Sequence, residues 1–177
     1  MPINQKVKNR LFGSGAIASV VLAGSILVAP WEGVKTEAYT DVIGVWTVCY
    51  GETRGVRRGD TYTDEQCTDQ LALSLPQYRA AMLKHVKVPL QPYEEAAYIS
   101  FSYNVGVGNF AKSALLTKLN KGQHQAACAE LKKWVYAGGK YFQGLANRRE
   151  EEYQMCIGKH KDISAVGSLP KTSEVLR

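Results

Sequence analysis

Four carboxylates fall within a short stretch of the chain: Glu32, Glu37, Asp41 and Glu52. Glu32 follows directly on an apolar run that closes with Pro30 and Trp31. Apolar surroundings disfavour an ionised carboxyl and so keep the proton that a general acid must deliver near neutral pH. Asp41 stands nine residues on, in a turn, and Thr47 six further, in a β-branched and aromatic run. Cleaving a glycosidic bond takes one acid to protonate the leaving oxygen and a second group to guide water or stabilise the developing cation. Glu32 and Asp41 suit those two parts, with the Thr47 hydroxyl as a water ligand. The spacing alone also fits solvated surface carboxylates and a strand threonine.

The elements that would carry these side chains are legible in outline. From Trp31 to Arg58 the chain reads as strands and turns, punctuated by Gly33, Gly44, Gly51 and Gly55. Val42 to Tyr50 carries the hairpin signal. After Asp60 the pattern turns helical. Thr63-Asp64-Glu65-Gln66 fits a capping box opening a helix toward His85, with Pro76 as a kink or break. Pro92 suits the first turn of the next helix, which Gly106 and Gly108 would end. Further helices are expected over 113–120, over 123–136 with Gly138-Gly139 as the stop, and over 142–157. A small β-hairpin region beside a larger helical lobe makes this an α+β fold, mostly helical, and a cleft between two lobes is a natural ligand site.

The N-terminus has its own logic. Lys6, Lys8 and Arg10 precede an uncharged run from Leu11 to Trp31, the order in which an export signal or membrane anchor begins. About twenty residues suffice to span a bilayer. Half the positions from Leu11 to Pro30 are Gly, Ala or Ser, so the segment inserts weakly. A cleaved signal peptide, a core helix and a weak, releasable anchor all remain open. The composition favours the anchor, with residues 1–30 as the anchoring segment, 31–158 as the catalytic domain and 159–177 as a polar tail.

Composition narrows the classes. The chain of 177 residues is 45% hydrophobic and 21% charged, the profile of a soluble domain rather than a membrane bundle. Its net charge of +6 favours anionic partners, but no nucleic-acid-binding signature is present. Cys49, Cys67, Cys128 and Cys156 form no C-x-x-C pair. In an oxidising compartment they suit two disulfides, of which three pairings exist. Pairing neighbours in sequence would join Cys49 to Cys67 and Cys128 to Cys156. His85, His124 and His160 are scattered and read as exposed; no metal site, cofactor or phosphate loop is expected.

Taken together, Glu32-Gly33, Tyr39-Thr40-Asp41, Gly44 and Trp46-Thr47-Val48 resemble the phage-type lysozyme family of glycoside hydrolases. The resemblance continues through Tyr103-Asn104-Val105-Gly106, Gly108-Asn109-Phe110 and Ser113, then Trp134, Gly138-Gly139, Gly144-Leu145 and Arg148-Arg149. It covers about residues 31–158. It implies a lysozyme-like two-lobe fold and hydrolysis, with inversion, of the β-1,4 link from N-acetylmuramic acid to N-acetylglucosamine in peptidoglycan. Glu32 would be the proton donor, Asp41 and Thr47 would hold the water, and Tyr103 and Ser113 would line the cleft. The N-terminal run resembles the signal-anchor-release segments of some lambdoid-phage endolysins. That resemblance implies a monomer held through residues 11–30 at the periplasmic side of the host inner membrane, weakly active there, then free in the periplasm. Two departures stand out: Glu52 follows Gly51 where some members carry a histidine, and the run holds no cysteine, so disulfide exchange from the anchor is not expected. A lytic transglycosylase, which would not need Asp41 and Thr47, and a non-catalytic, membrane-anchored wall-binding protein are the alternatives.

Overall fold

The computed structural model describes residues 23–41 and 44–161. Expectations for residues 1–22, for Val42 and Ile43, and for the tail from residue 162 lie outside the described residues.

The apolar run ends in a π-helical turn, Ala23–Val28, which continues into a short helix, α1, Ala29–Glu32. Pro30 has no N–H and cannot bond the carbonyl four residues back, so an α-helical rung is missing where the wider turn sits. Ala23, Leu27 and Val28 are fully buried and belong to the main core. The end of the run is therefore packed inside the helical lobe. Among the described residues no helix is long and apolar enough to cross a membrane.

Gly33, at φ 63°, turns the chain into β1, Lys35–Thr40, which pairs antiparallel with β2, Trp46–Cys49. The first strand lies earlier than the Val42–Tyr50 signal. It is held from its other side as well, by Ala38 N–H on Asp60 O and Tyr62 N–H on Thr36 O. The second lobe opens with α2, Asp64–Leu83, on the expected capping box of Thr63 and Gln66. Pro76 does not break this helix; Leu71, Leu75 and Met82 bury one side of it on both flanks of the proline.

Helix α3, Pro92–Val105, is central: Ala96, Ala97, Tyr98, Ile99 and Phe101 are all fully buried. Gly106, at φ 85°, closes it, whereas Gly108 lies inside a further short helix, α4, Val107–Ala111. Then come α5, Ala114–Leu119, and α6, His124–Glu130. The helix expected to reach Tyr136 tightens into a 3₁₀ turn at Leu131–Lys133 and stops. Gly138 and Gly139, both at positive φ, form the tip of a hairpin of β3, Tyr136–Ala137, and β4, Lys140–Tyr141, instead of a helix stop. The last helix, α7, Gln143–Cys156, packs against α3. One disulfide, Cys49–Cys67, ties β2 to the first turn of α2, and the other, Cys128–Cys156, ties α6 to the end of α7. The histidines are not all exposed: His160 is buried, and His124 sits 2.7 Å from the buried Glu94.

Candidate active site

Glu32 is the last residue of α1, at the seam between the lobes, with its side chain 20% exposed. Its surroundings are not the apolar ones expected from Pro30 and Trp31. Oε1 accepts a hydrogen bond from Arg148 Nη1 at 2.5 Å. Trp31 turns instead toward α7, where its indole N–H donates to Glu151.

Arg148 is nearly buried and reaches several partners from α7. Its Nε donates to Glu152 Oε1 at 3.1 Å, and its Nη2 lies 3.4 Å from both the carbonyl and the hydroxyl of Ser100. Ser100 donates to Glu152 Oε1 at 2.7 Å, with Leu27 O a longer alternative at 3.4 Å. Arg149 forms an ion pair with Glu152 Oε2 at 3.2 Å and donates to Asn104 Oδ1 at 2.6 Å. Two arginines thus meet two glutamates, the kind of partner that a guanidinium removed from water requires. Burial opposes the charge on Arg148, but Glu152 and Glu32 outweigh it and hold its pKa above the ordinary arginine value. For Arg149 burial prevails over Glu152 and pulls the pKa down.

The hairpin supplies the other side. Asp41 closes its loop: its N–H donates to Val45 O and its Oδ1 accepts from Val45 N–H, both at 2.9 Å. Thr47 is 4% exposed; its hydroxyl donates to Val45 O at 3.0 Å, leaving the oxygen's lone pairs to accept. Thr47 stands opposite Tyr39 in the strand register. The Tyr39 phenol is raised by burial and then by the charges of Glu32 and Asp41. Tyr39 is thus the cross-strand partner of Thr47 and lies within electrostatic reach of Glu32 and Asp41.

A turn at Tyr50-Gly51-Glu52 flanks the open edge of Glu32. Gly51 has φ 90°, and a β-carbon there would lie 3.4 Å from Glu32 Oε2. Tyr103 anchors this turn by donating to Tyr50 O at 2.7 Å, and its ring packs on Tyr78. Glu52 does not face Glu32: its oxygens accept from the N–H groups of Thr53 and Arg54 and from the Ser74 hydroxyl of α2. Ser113 has a structural part at a helix start. It is 4% exposed and caps α5, accepting from Leu116 N–H and donating to Phe110 O.

Reading from the sequence assigned no role to Arg148, Glu152, Ser100, Tyr39 or Gly51. A signal for two of them was present. Leu145, Arg148, Arg149, Glu152, Met155 and Cys156 form one helical stripe, and charges on an otherwise apolar stripe point inward together. Among the described residues no group of three metal-ligating side chains gathers.

A hairpin lobe and a helical lobe meeting at a glutamate make this a lysozyme-like fold. The comparisons agree. The phage lysozyme model matches residues 29–152. A SAR-endolysin of bacteriophage PS119 is 42% identical over 146 residues, covering 82% of this chain and 87% of that protein. The active form of the P1 phage endolysin Lyz superimposes with a TM-score of 0.75 at 24% identity, over 87% of this chain and 93% of that one. A P22 lysozyme mutant does so at 0.64 and 28% identity, over 89% and 99%. The chain belongs to the phage lysozyme family and is a phage endolysin.

Proposed function

We propose that this endolysin is an inverting muramidase that hydrolyses the β-1,4 bond from N-acetylmuramic acid to N-acetylglucosamine in peptidoglycan. The observation that carries the reading is a part-exposed glutamate at the lobe seam, held by a buried arginine through one oxygen and lying beside Gly51, in the turn that follows β2, through the other. Oε1 of Glu32 is taken by Arg148, so Oε2, beside Gly51, is the oxygen that carries the proton to the leaving group. Asp41 takes the proton of the attacking water, and Thr47 accepts a hydrogen bond from the same water, fixing its angle of attack. Tyr103 acts through the Tyr50 turn, and Ser113 supports the helix corner without touching sugar.

The endolysin is first tethered through residues 11–30 at the periplasmic face of the inner membrane and later freed as a monomer into the periplasm. The name of the PS119 relative supports this, as does the position of residues 23–28. Leu27 and Val28 cannot lie in a bilayer and in the domain core at once. Each such buried side chain is worth about 1.5–3 kcal/mol. A tethered domain lacks that packing and the Leu27 carbonyl beside Ser100, and its Glu32 is held near the headgroups.

The test is Glu32→Gln on purified sacculi. Release of reducing sugar should fall at least a thousandfold. The first product formed by wild type should be the α-anomer. Anhydro-sugar products would establish a transglycosylase, and unchanged release from Glu32→Gln would overturn the assignment.

A further inference from the structure

The β3–β4 hairpin has no part in the chemistry above, yet its composition is unusual for a surface turn. Of the six large apolar side chains exposed among the described residues, three lie here: Tyr136 at 65%, Tyr141 at 51% and Phe142 at 47%. Every residue from Tyr136 to Gly144 is exposed, so the hairpin projects from the helical lobe. Tyr136 and Tyr141 are cross-strand partners whose rings meet edge to face at 5.9 Å. That contact helps a two-stranded hairpin hold its shape. It does not account for Phe142 beside it or for Lys140 on the same strand.

The base of the hairpin is tied to the helical lobe by several contacts. Phe142 N–H donates to Val135 O at 3.0 Å. Trp134 packs edge to face on Phe101 at 5.1 Å, and the Arg149 guanidinium lies over that same ring. Helix α7 begins at the next residue, Gln143, and Arg148 follows about 7.5 Å along its axis. The end of the hairpin therefore stands about one and a half helical turns from the arginine that holds Glu32. Tyrosine suits contacts with an amphipathic partner, since its ring is apolar and its tip is wet. A pyranose is such a partner: one face presents C–H groups and the rim presents hydroxyls.

We propose that this hairpin is a second saccharide-contacting surface, on which the glycan strand running out of the cleft lays a sugar ring against Tyr136 and Tyr141. This rests on the muramidase reading for the direction of the strand. Binding energy gained away from the reacting bond would help seat the strand.

Binding is measured in the Glu32→Gln background, so that turnover does not interfere. Pelleting with purified sacculi should weaken about tenfold or more when Tyr136→Ser and Tyr141→Ser are combined, the scale of truncating two interface tyrosines. The pair Tyr136→Phe and Tyr141→Phe should bind within about twofold of the parent, since stacking needs the ring. With the hairpin unaltered, a soluble oligomer of alternating N-acetylglucosamine and N-acetylmuramic acid should shift the ring resonances of Tyr136 and Tyr141. Unshifted rings overturn the proposal, as do Ser variants that pellet like the parent or Phe variants that fail as badly as Ser. Loss of binding to phosphatidylglycerol vesicles with sacculus binding intact overturns it too, in favour of a membrane contact. If wild type releases no reducing sugar while the rings still shift, the muramidase reading falls and the surface stands.

Discussion

Truncating Leu27 separates a segment that merely tethers from one that also builds the domain. Leu27 is fully buried, in the same cluster as Leu71, Leu75, Ile99 and Phe101. Leu27→Ala deletes most of a buried side chain and leaves a cavity, which costs about 2–5 kcal/mol. A domain of this size has only about 5–15 kcal/mol of stability, and each kcal/mol moves Tm by about 2–4 °C. The expected fall is therefore about 4–20 °C by calorimetry on the purified protein, with a parallel fall in turnover at 37 °C. Leu73 is the control: it is 68% exposed on α2, and Leu73→Ala should change stability by less than about 0.5 kcal/mol. A Leu27→Ala protein that melts within about 1 °C of wild type would refute the packing of residues 23–28 into the core, and with it the argument that release and folding are coupled.

Two further outcomes follow from the charge network and the buried phenols. Arg148→Lys keeps the charge but loses the fork that joins Glu32, Glu152 and Ser100; kcat on sacculi should fall about 10–100-fold, as expected when a reacting group is misplaced by about 1 Å, and kcat within twofold of wild type would count against it. Burial raises the phenols of Tyr98 and Tyr103 above the ordinary value of 10.0. The folded state then keeps protons that the unfolded chain sheds, so their contribution to stability is full below pH 10 and is lost as the pH climbs beyond it. An ultraviolet titration should show these two phenols ionising only with unfolding, whereas a smooth titration of all ten tyrosines in folded protein would contradict it.

Local chemistry made much of the fold legible. The capping box at Thr63, Pro92 in a first turn and Gly106 as a stop are short-range devices that act the same way in any context. The misreadings came where tertiary contacts decide. Pro76 was outweighed by burial on both sides of it, and the two glycines at 138 and 139 serve a tight hairpin as well as they would a helix end. Glu32, Asp41 and Thr47 could be proposed together from the sequence because a short helix and one hairpin carry them within sixteen residues. Arg148 could not, because it lies 116 residues from Glu32 and only packing of α7 on α3 brings them together.

The same distance bears on the proposed tethering. Glu32 sits four residues beyond Val28, the last residue of the π-helical turn, and its partner Arg148 reaches it only across a core that Leu27 and Val28 help to fill. Ser100 touches both halves: its hydroxyl donates to Glu152 and lies 3.4 Å from the Leu27 carbonyl. Extracting the segment from the core would thus remove apolar packing and a polar neighbour of the arginine cluster in one step. Under the proposed tethering, a membrane that held the segment would need no separate inhibitor, because Leu27 and Val28 help to fill the core across which Arg148 reaches Glu32.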